Sequence, residues 1–326
     1  MKYRFSHGGN IKAFRQKTGC QIPIDLSSNI NFLKPKVKIK NLDISSYPNY
    51  DKLYRVLSKK FKVKTSELEV FNGATSAISS LFRSLEFERV YIYSPAYLEY
   101  KKITLLNKKE LVMIDRFEHL YKSIKPSSLV VFVNPSTPDG KFYNLEKLFE
   151  IWKNSDATVL LDESFLEFCK ECKTAVNYLK SYKKLYILKS LTKFYSSAGA
   201  RLGVVLSNKK NIKKLKRYEP LWKISEYDKT YYIKALEDKK FVKKTLKKTK
   251  KNRELLTKKL LSLDEVEQVF PSCANFVLVK LKTDAKSFVK KYEKRCIMIR
   301  ECENFDFLDE KYVRIAVKSK KSIRML

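Results

Sequence analysis

The sequence predicts an α/β protein with a large domain, built on a mostly parallel sheet, and a small α+β domain. Two observations support this prediction. Between residues 70 and 207, short runs rich in β-branched and aromatic residues alternate with segments long enough for crossover helices. Near the C-terminus, lysine-rich helical segments lead into a strand-helix-strand-strand pattern.

The candidate strands of the large sheet are the runs RVYIYS, ELVMID, SLVVFVNP, ATVLLDES, KLYILKS and GVVLS. Where a run is continuously apolar, we expect the strand to be buried on both faces of the sheet. Residues 96–107 and 144–154 are candidate crossover helices. In such a sheet the active groups lie where the strands end, so the polar residues that follow these runs are candidate site residues.

The small domain is predicted from NFVLVKL, a helix near residues 284–294, CIMIRE and YVRIAVKS. Residues 209–259 carry apolar side chains at intervals that suit long helices, which lead out of the large domain. We therefore expect an N-terminal arm or small-domain segment at residues 1–40, a large domain at 41–225 and a small C-terminal domain at 226–326.

The chain is strongly basic, with 69 Lys and Arg against 35 Asp and Glu and a net charge of +34. Such a charge on its own would suggest nucleic acid, an anionic membrane surface or a small anionic substrate. The basic residues are spread along the whole chain, without a zinc finger, an RNP-like aromatic motif or a basic helix with an apolar membrane face. We interpret most of the charge as a solvated surface and expect neither a nucleic-acid nor a membrane partner.

The sequence has no apolar run of transmembrane length and no signal-peptide core after Met1, so we expect a cytoplasmic protein. Six cysteines in 326 residues do not make a disulfide framework, and we expect free thiols. The CKEC segment, with Cys169 and Cys172, lacks the second pair that a four-ligand zinc site needs. No metal site is predicted.

Two charged residues stand at the ends of predicted strands. Asp162 ends the run LLD, and Lys193 follows the run YILKS. A buried carboxylate is costly unless a cation meets it, so the two side chains are candidates for a common site. Taken alone, either residue is more often structural than functional.

Two further segments supply what a phosphate dianion needs. In NGATSA a helix begins, so that free backbone N–H groups and the helix dipole can face an anion. The segment SLTKFYSSAGARLG adds two hydroxyl groups and a guanidinium. A site for a phosphate, a carboxylate for a ring nitrogen and a lysine for an aldehyde together indicate pyridoxal 5'-phosphate (PLP). The residues concerned are Gly73, Ala74, Thr75, Ser190, Thr192 and Arg201.

In order along the chain, NGAT, SPAYLEY, NPSTPDG, LLDESFLEF and SLTKFYSSAGARLG resemble the motifs of fold-type-I PLP enzymes of the histidinol-phosphate aminotransferase group. The resemblance implies that Lys193 forms the Schiff base with the cofactor and later moves protons, while Asp162 holds the pyridine nitrogen protonated. It also implies that Tyr97 stacks on the ring. Tyr47 would reach the cofactor phosphate of a neighbouring subunit, which implies a homodimer with shared sites.

Two residues depart from the family pattern. The asparagine that bonds the 3' oxygen of the cofactor is replaced by Thr137, and a tyrosine that often follows the aspartate is replaced by Phe165. Thr137 offers a shorter hydroxyl, and Asn134 on the same segment is a possible substitute. These changes would alter the electronic setting of the cofactor.

The two ends of the chain carry candidate substrate clamps. SHGGNI contains His7, Gly8 and Gly9, and its alternative interpretation is a flexible turn. Arg300 and Arg314 lie on short apolar runs; each could be an edge residue, but two on adjacent strands suit bidentate contacts with carboxylate or phosphate.

These ends resemble the L-threonine-O-3-phosphate decarboxylase branch of the family, which has a HGGN segment, NIN and a closing segment like IRECENFDFLDEKYVRIAV. The resemblance implies that His7 and Asn31 contact substrate anions and that the two arginines hold phosphate and carboxylate. It implies decarboxylation of O-phospho-L-threonine or O-phospho-L-serine to aminopropanol phosphate or ethanolamine phosphate. An aminotransferase of histidinol-phosphate type is the alternative, and a polyanion-binding protein with a PLP fold is a further one.

Overall fold

A computed structural model describes residues 8–326 of the chain. Its helices are α1 (Ile11–Thr18), α2 (Asp51–Phe61), α3 (Gly73–Ser84), α4 (Leu98–Leu106), α5 (Glu146–Asn154), α6 (Leu191–Phe194), α7 (Lys209–Lys216), α8 (Glu226–Glu237), α9 (Lys239–Leu261), α10 (Ala285–Glu293) and α11 (Lys320–Arg324). The strands are β1 (Ile24–Asp25), β2 (Leu68–Phe71), β3 (Arg89–Ser94), β4 (Glu110–Asp115), β5 (Ser128–Val133), β6 (Thr158–Asp162), β7 (Leu185–Ser190), β8 (Gly203–Leu206), β9 (Val266–Val269), β10 (Phe276–Leu281), β11 (Ile297–Met298), β12 (Arg300–Glu301) and β13 (Tyr312–Ala316).

The large sheet has seven strands in the order β2-β8-β7-β6-β5-β3-β4. Strands β3 to β7 pair in parallel, whereas β8 runs antiparallel to both β7 and β2. The α/β class and all six predicted strands are confirmed. Strand β2, which has four residues and pairs with β8 at the edge of the sheet, was not predicted from the sequence.

Continuous apolar runs in this sheet reflect burial on both faces. In β5, Val130 and Phe132 pack into one core cluster, while Leu129, Val131 and Val133 pack into the other. Side chains along a strand alternate between faces, so a strand covered on both sides needs apolar residues at every position. The sheet is therefore enclosed by helices, and only its ends are available for a site.

A second sheet of four antiparallel strands, in the order β12-β13-β10-β9, is formed by the C-terminal part of the chain. A separate parallel pair joins β1 to β11, with Ile24 opposite Ile297. The N-terminal segment is thus fastened to the C-terminal region. The domain boundaries at residues 40 and 225 remain predictions.

The expectation of free thiols is wrong for four cysteines. Disulfide bonds join Cys20 to Cys296 and Cys169 to Cys172, and Cys273 and Cys302 are the free thiols. The first pair is separated by 276 residues, so only the pairing of β1 with β11 brings its two Cα atoms to 5.7 Å. Sequence spacing could not reveal this proximity.

Among residues 8–326, no helix is both long enough and apolar enough to cross a bilayer.

Candidate active site

A cavity of about 430 Å³ lies at the C-terminal ends of the parallel strands. It brings together most of the residues predicted for the site, from widely separated segments of the chain. Polar groups from strand ends and helix starts converge there, as expected for a parallel α/β sheet. The predicted residues that line it are Gly8, Gly9, Ala74, Thr75, Tyr97, Thr137, Asp162, Ser190, Thr192, Lys193, Arg201, Arg300 and Arg314.

Lys193 lies in the one-turn helix α6 directly after β7, so the strand end places its side chain in the cavity. Its Nζ donates a hydrogen bond of 2.8 Å to Ser190 Oγ. Burial lowers the pKa of Lys193; Asp162 opposes this shift, and the positive charges of Arg201 and Arg314 add to it. A lowered pKa favours the neutral amine, which is the form that attacks an aldehyde and accepts a proton.

Asp162 ends β6 and is 5% exposed. Its two carboxylate oxygens have separate partners: the Ser164 backbone N–H donates to Oδ1 at 2.8 Å, and the Tyr100 hydroxyl donates to Oδ2 at 2.7 Å. Both donors stabilise the ionised carboxylate. Sequence analysis missed Tyr100, although its position on α4, three residues after Tyr97, was a usable signal.

A cup for an anion forms where α3 begins. Gly73 has a φ of +78°, and a Cβ there would lie 2.5 Å from Nη2 of Arg201. A Cβ on Gly203 would lie 2.7 Å from the backbone nitrogen of Ala74. The two glycines therefore let β8 and the guanidinium approach the free N–H groups of α3. Ser190 and Thr192, with hydroxyl oxygens 3.1 Å apart, also line the cavity.

Tyr97 immediately precedes α4 and lines the same cavity. Burial raises the pKa of its hydroxyl, an effect reduced by a hydrogen bond with Thr75. The ring of Tyr97 packs edge-on against that of Tyr100, with centroids 6.1 Å apart. Tyr97, which is predicted to stack on the cofactor, and Tyr100, the partner of Asp162, thus both lie at the start of α4.

Arg300 and Arg314 are directly opposite each other on β12 and β13. Both are buried, with 8% and 9% exposure, and both line the cavity. Burial lowers the pKa of Arg300, and it lowers that of Arg314 to about 10. Nη1 of Arg314 donates to Thr137 Oγ1 at 3.1 Å and Nη2 donates to the Ser27 carbonyl at 3.3 Å, but its buried Nε has no partner among the described residues.

The two departures from the family pattern lie beside these groups. The Thr137 hydroxyl accepts the hydrogen bond from Arg314, so this residue is in contact with the arginine side of the cavity. Phe165 lines the cavity 5.8 Å from Lys193 Nζ, measured to the ring centroid. Its ring also packs against Phe276 of β10.

The HGGN segment lies against the cavity, although His7 is outside the described residues. The backbone N–H of Gly9 donates to Ser27 Oγ at 2.8 Å, and Gly9 has a φ of +87°. A Cβ on Gly8 would lie 2.5 Å from the Ser27 carbonyl oxygen. Close packing on Ser27 thus accounts for Gly8, and the left-handed backbone accounts for Gly9.

Besides Gly73, which lies behind the cup at the start of α3, three predicted residues do not line the cavity. Asn31 lies in the turn beside Lys193: its Nδ2 donates to the Phe194 carbonyl at 2.7 Å, and its Oδ1 accepts from the Leu33 N–H. Both ends of the Asn134 amide bond the backbone of Tyr143. The contact of Asn31 with a substrate anion and that of Asn134 with the cofactor stay predictions.

Tyr47, the third of these residues, is 72% exposed and stacks on Trp222 at 3.9 Å between ring centroids. Within one chain it lies outside the cavity. Its predicted contact with the cofactor of a neighbouring subunit requires a second chain.

The chain belongs to the aminotransferase class I and II family, whose model matches residues 24–326. A protein of Caldanaerobacter subterraneus subsp. tengcongensis, provisionally named as a threonine-phosphate decarboxylase, is 29% identical over 96% of this chain and 90% of its own. The histidinol-phosphate aminotransferase structure from Clostridium acetobutylicum is 30% identical, with a TM-score of 0.85 over 92% of this chain and 96% of that one. The L-threonine-O-3-phosphate decarboxylase structure from Porphyromonas gingivalis is 25% identical, with a TM-score of 0.77 over 86% of this chain and 88% of that one.

The fold is that of the fold-type-I PLP enzymes, and the protein is PLP-dependent. The cavity fits this cofactor in three respects: a glycine-lined cup with Arg201 for the phosphate, a carboxylate at Asp162 for the ring nitrogen, and a lysine of lowered pKa for the aldehyde.

Proposed function

We propose that the protein removes the carboxylate of an O-phosphorylated amino acid, O-phospho-L-threonine or O-phospho-L-serine, releasing CO₂ and an amino-alcohol phosphate. The observation that carries this proposal is the pairing of Arg300 with Arg314 at one wall of the cavity that contains Lys193. A substrate with a phosphate and a carboxylate presents two anions. Two buried guanidinium groups on adjacent strands suit them.

Bound PLP accepts the electrons left on Cα when one of its bonds breaks, and the bond that breaks is the one held perpendicular to the ring. The role of the protein is to select which bond is held in this orientation. By holding the substrate's carboxylate, an arginine turns the Cα–COO⁻ bond out of the ring plane. Lys193 Nζ then delivers a proton to Cα, and Asp162 keeps the proton on the ring nitrogen.

Transamination of histidinol phosphate is the second candidate. It is favoured by the likeness to the Clostridium acetobutylicum histidinol-phosphate aminotransferase, which is 30% identical to this chain. The same Lys193, Asp162 and Arg201 would serve, and Lys193 would move a proton from Cα instead of delivering one there after CO₂ loss.

The two reactions are separated by supplying the holoenzyme with each phospho-amino acid, with and without 2-oxoglutarate. Release of CO₂ without the keto acid supports the decarboxylase. Turnover of histidinol phosphate that requires 2-oxoglutarate, with no CO₂ from either phospho-amino acid, would overturn it. The ratio of kcat/KM values for the two phospho-amino acids then reports the contribution of one methyl group, about 1 kcal/mol.

We also propose a homodimer that shares its active sites. Tyr47, Leu221 and Trp222 are all more than half exposed and include a stacked aromatic pair. Exposed apolar clusters of this kind mark association surfaces. Light scattering is expected to give twice the mass of the 326-residue chain. The shared site would be contradicted if Tyr47→Ala remained a dimer and bound the cofactor as tightly as the wild type.

A further inference from the structure

A cluster of three cysteines lies outside the active-site cavity. Cys169 and Cys172 are three residues apart and follow a short 3-10 turn after β6, while Cys273 precedes β10. Their three sulfur atoms lie within 4.8 Å of one another, and Cys172 Sγ is 3.7 Å from Cys273 Sγ. The fold thus adds a third thiol to a pair whose C-x₂-C spacing is typical of zinc ligands.

We propose that, after reduction of the Cys169–Cys172 disulfide, the three cysteines bind one Zn²⁺ ion. With Zn–S bonds of about 2.3 Å and tetrahedral angles, two coordinating sulfur atoms lie about 3.8 Å apart, close to the separation of Cys172 and Cys273. Three sulfur atoms so close together suit a single ion. The fourth coordination position is left to water.

The backbone around Cys273 is held in place before any ion binds. Its N–H donates to the Gly140 carbonyl at 3.0 Å, and Nη1 of Arg253 donates to the carbonyls of Cys273 and Ala274 at 3.1 and 2.8 Å. Gly140 has a φ of +75°, and a Cβ there would lie 2.0 Å from Ser272 Oγ. Cys273 is therefore presented by a fixed segment, which reduces the entropic cost of coordination.

Cations outnumber acidic residues in a cavity beside the cluster. Arg253 lines this cavity of about 480 Å³ together with Lys170, Lys243, Lys247 and Lys250, and Glu171 is the acidic residue of its lining. Three thiolates and Zn²⁺ carry a net charge of −1, which nearby cations stabilise.

Reduction of the Cys169–Cys172 disulfide requires one reagent, a dithiol reductant. A dithiol reductant supplies two electrons and two protons to the Cys169–Cys172 bond, is itself oxidised to a disulfide and leaves two thiols. Zn²⁺ then displaces one proton from each of the three cysteines. The bound ion would join the segment after β6 to the segment before β10, two parts of the chain 101 residues apart.

The test uses the full-length holoenzyme, reduced by a dithiol that is then removed, and titrated with Co²⁺. We expect one Co²⁺ per chain, thiolate-to-cobalt charge-transfer absorption in the near ultraviolet, and displacement by Zn²⁺. Cys273→Ala should lower the affinity by more than ~100-fold, since even outer partners of a metal site contribute 10–100-fold. The oxidised protein should not bind.

Cys302→Ala is the matched control, because Cys302 is a buried free thiol outside the cluster, and it should bind Co²⁺ like the wild type. Equal affinity of wild type and Cys273→Ala, or the absence of thiolate absorption in the reduced protein, overturns the proposal. If Cys273→Ala does not fold, Cys169→Ala gives the same comparison at a partly exposed position. These readouts do not depend on which reaction the enzyme catalyses.

Discussion

The hydroxyl of Tyr100 lies 2.7 Å from Oδ2 of Asp162, and both residues are almost completely buried. Burial first, and then the charge of Asp162, raises the pKa of Tyr100 well above its ordinary value, so the hydroxyl remains a donor. The bond ties helix α4, which follows Tyr97, to the end of β6. We therefore expect Tyr100 to position the carboxylate that is predicted to face the ring nitrogen.

Removing the Tyr100 hydroxyl is expected to weaken the interaction of Asp162 with the proton on the ring nitrogen of the cofactor. Tyr100→Phe should lower kcat about 10-fold, because a hydrogen bond to a charged group is worth about 1.5–3 kcal/mol, whereas Asp162→Asn should lower it by at least ~100-fold. Absorbance of the bound cofactor, followed against pH, should show the ring nitrogen losing its proton at a lower pH in Tyr100→Phe. Tyr186→Phe, at a buried position of β7 outside the cavity, is the control; an unchanged pH profile in Tyr100→Phe would contradict the role.

Two buried lysines near the end of β7 are expected to respond differently to substitution. Lys193→Ala should lower turnover by at least ~1,000-fold and abolish covalent attachment of the cofactor on borohydride reduction. Lys189 lies 2.5 Å from Glu163, with both side chains at most 3% exposed. Lys189→Met should therefore lower the free energy of unfolding by about 3–5 kcal/mol while leaving cofactor attachment intact. Attachment that survives in Lys193→Ala would refute the assignment.

The phosphate cup should not tolerate a methyl group at Gly73. Gly73→Ala places a Cβ 2.5 Å from Arg201 Nη2 at a φ of +78°, so we expect PLP affinity to fall by at least ~10-fold, corresponding to about 1–3 kcal/mol of strain. Gly199→Ala is a matched control in the neighbouring loop, because its Cβ meets no atom within 4 Å. Equilibrium titration of the cofactor-free protein with PLP measures both. Equal affinities for the two variants would show that Gly73 is not part of the cup.

Thr137 is expected to act on the substrate through Arg314. Thr137→Val removes the acceptor of the 3.1 Å hydrogen bond from Nη1, and we expect KM for the phospho-amino acid to rise about 10-fold. Arg314→Lys should raise it more, by ~30-fold or above, because a buried bidentate cation is lost. Steady-state kinetics and PLP titration should be measured together. If Thr137→Val changes the affinity or absorbance of PLP but not KM, Thr137 contacts the cofactor instead.

The cofactor-free protein should become more stable as pH rises toward 10.5. Burial lowers the pKa of Lys193 below that ordinary value, so the unfolded chain binds its proton more tightly than the folded chain does. The destabilisation is complete below the folded pKa and disappears between the folded and unfolded values. Lys193→Met should remove this pH dependence and be more stable than wild type near neutral pH. Denaturation midpoints across pH test this, with exposed Lys180→Met as the control.

The sequence predicted the large sheet well because its signals are local. Runs such as that of β5 are apolar at every position, and the polar residues after β6 and β7 follow directly in the chain. The family motifs then indicated the cofactor. These features depend on neighbours in sequence, which periodicity and spacing report.

What the sequence could not provide depends on contacts between distant segments. The amide of Asn31 bonds the Phe194 carbonyl, 163 residues away, and this long-range contact supports the turn after Lys193. The proximity of Cys273 to the CKEC segment and that of Cys20 to Cys296 arise in the same way. Antiparallel β2 was missed because Glu69 interrupts its apolar run, and the pairing of this buried carboxylate with Lys223 joins segments far apart in sequence.

The pairing of β1 with β11 has a consequence for synthesis of the protein on the ribosome. Lys193, Asp162 and the glycine cup are all made before residue 204, whereas β11 and both arginines follow more than ninety residues later. During translation, the large sheet can form and hold PLP while β1 still lacks its partner strand. We therefore expect the nascent chain to complete the residues of its cofactor site before Arg300 and Arg314, the residues proposed to select among the reactions of PLP.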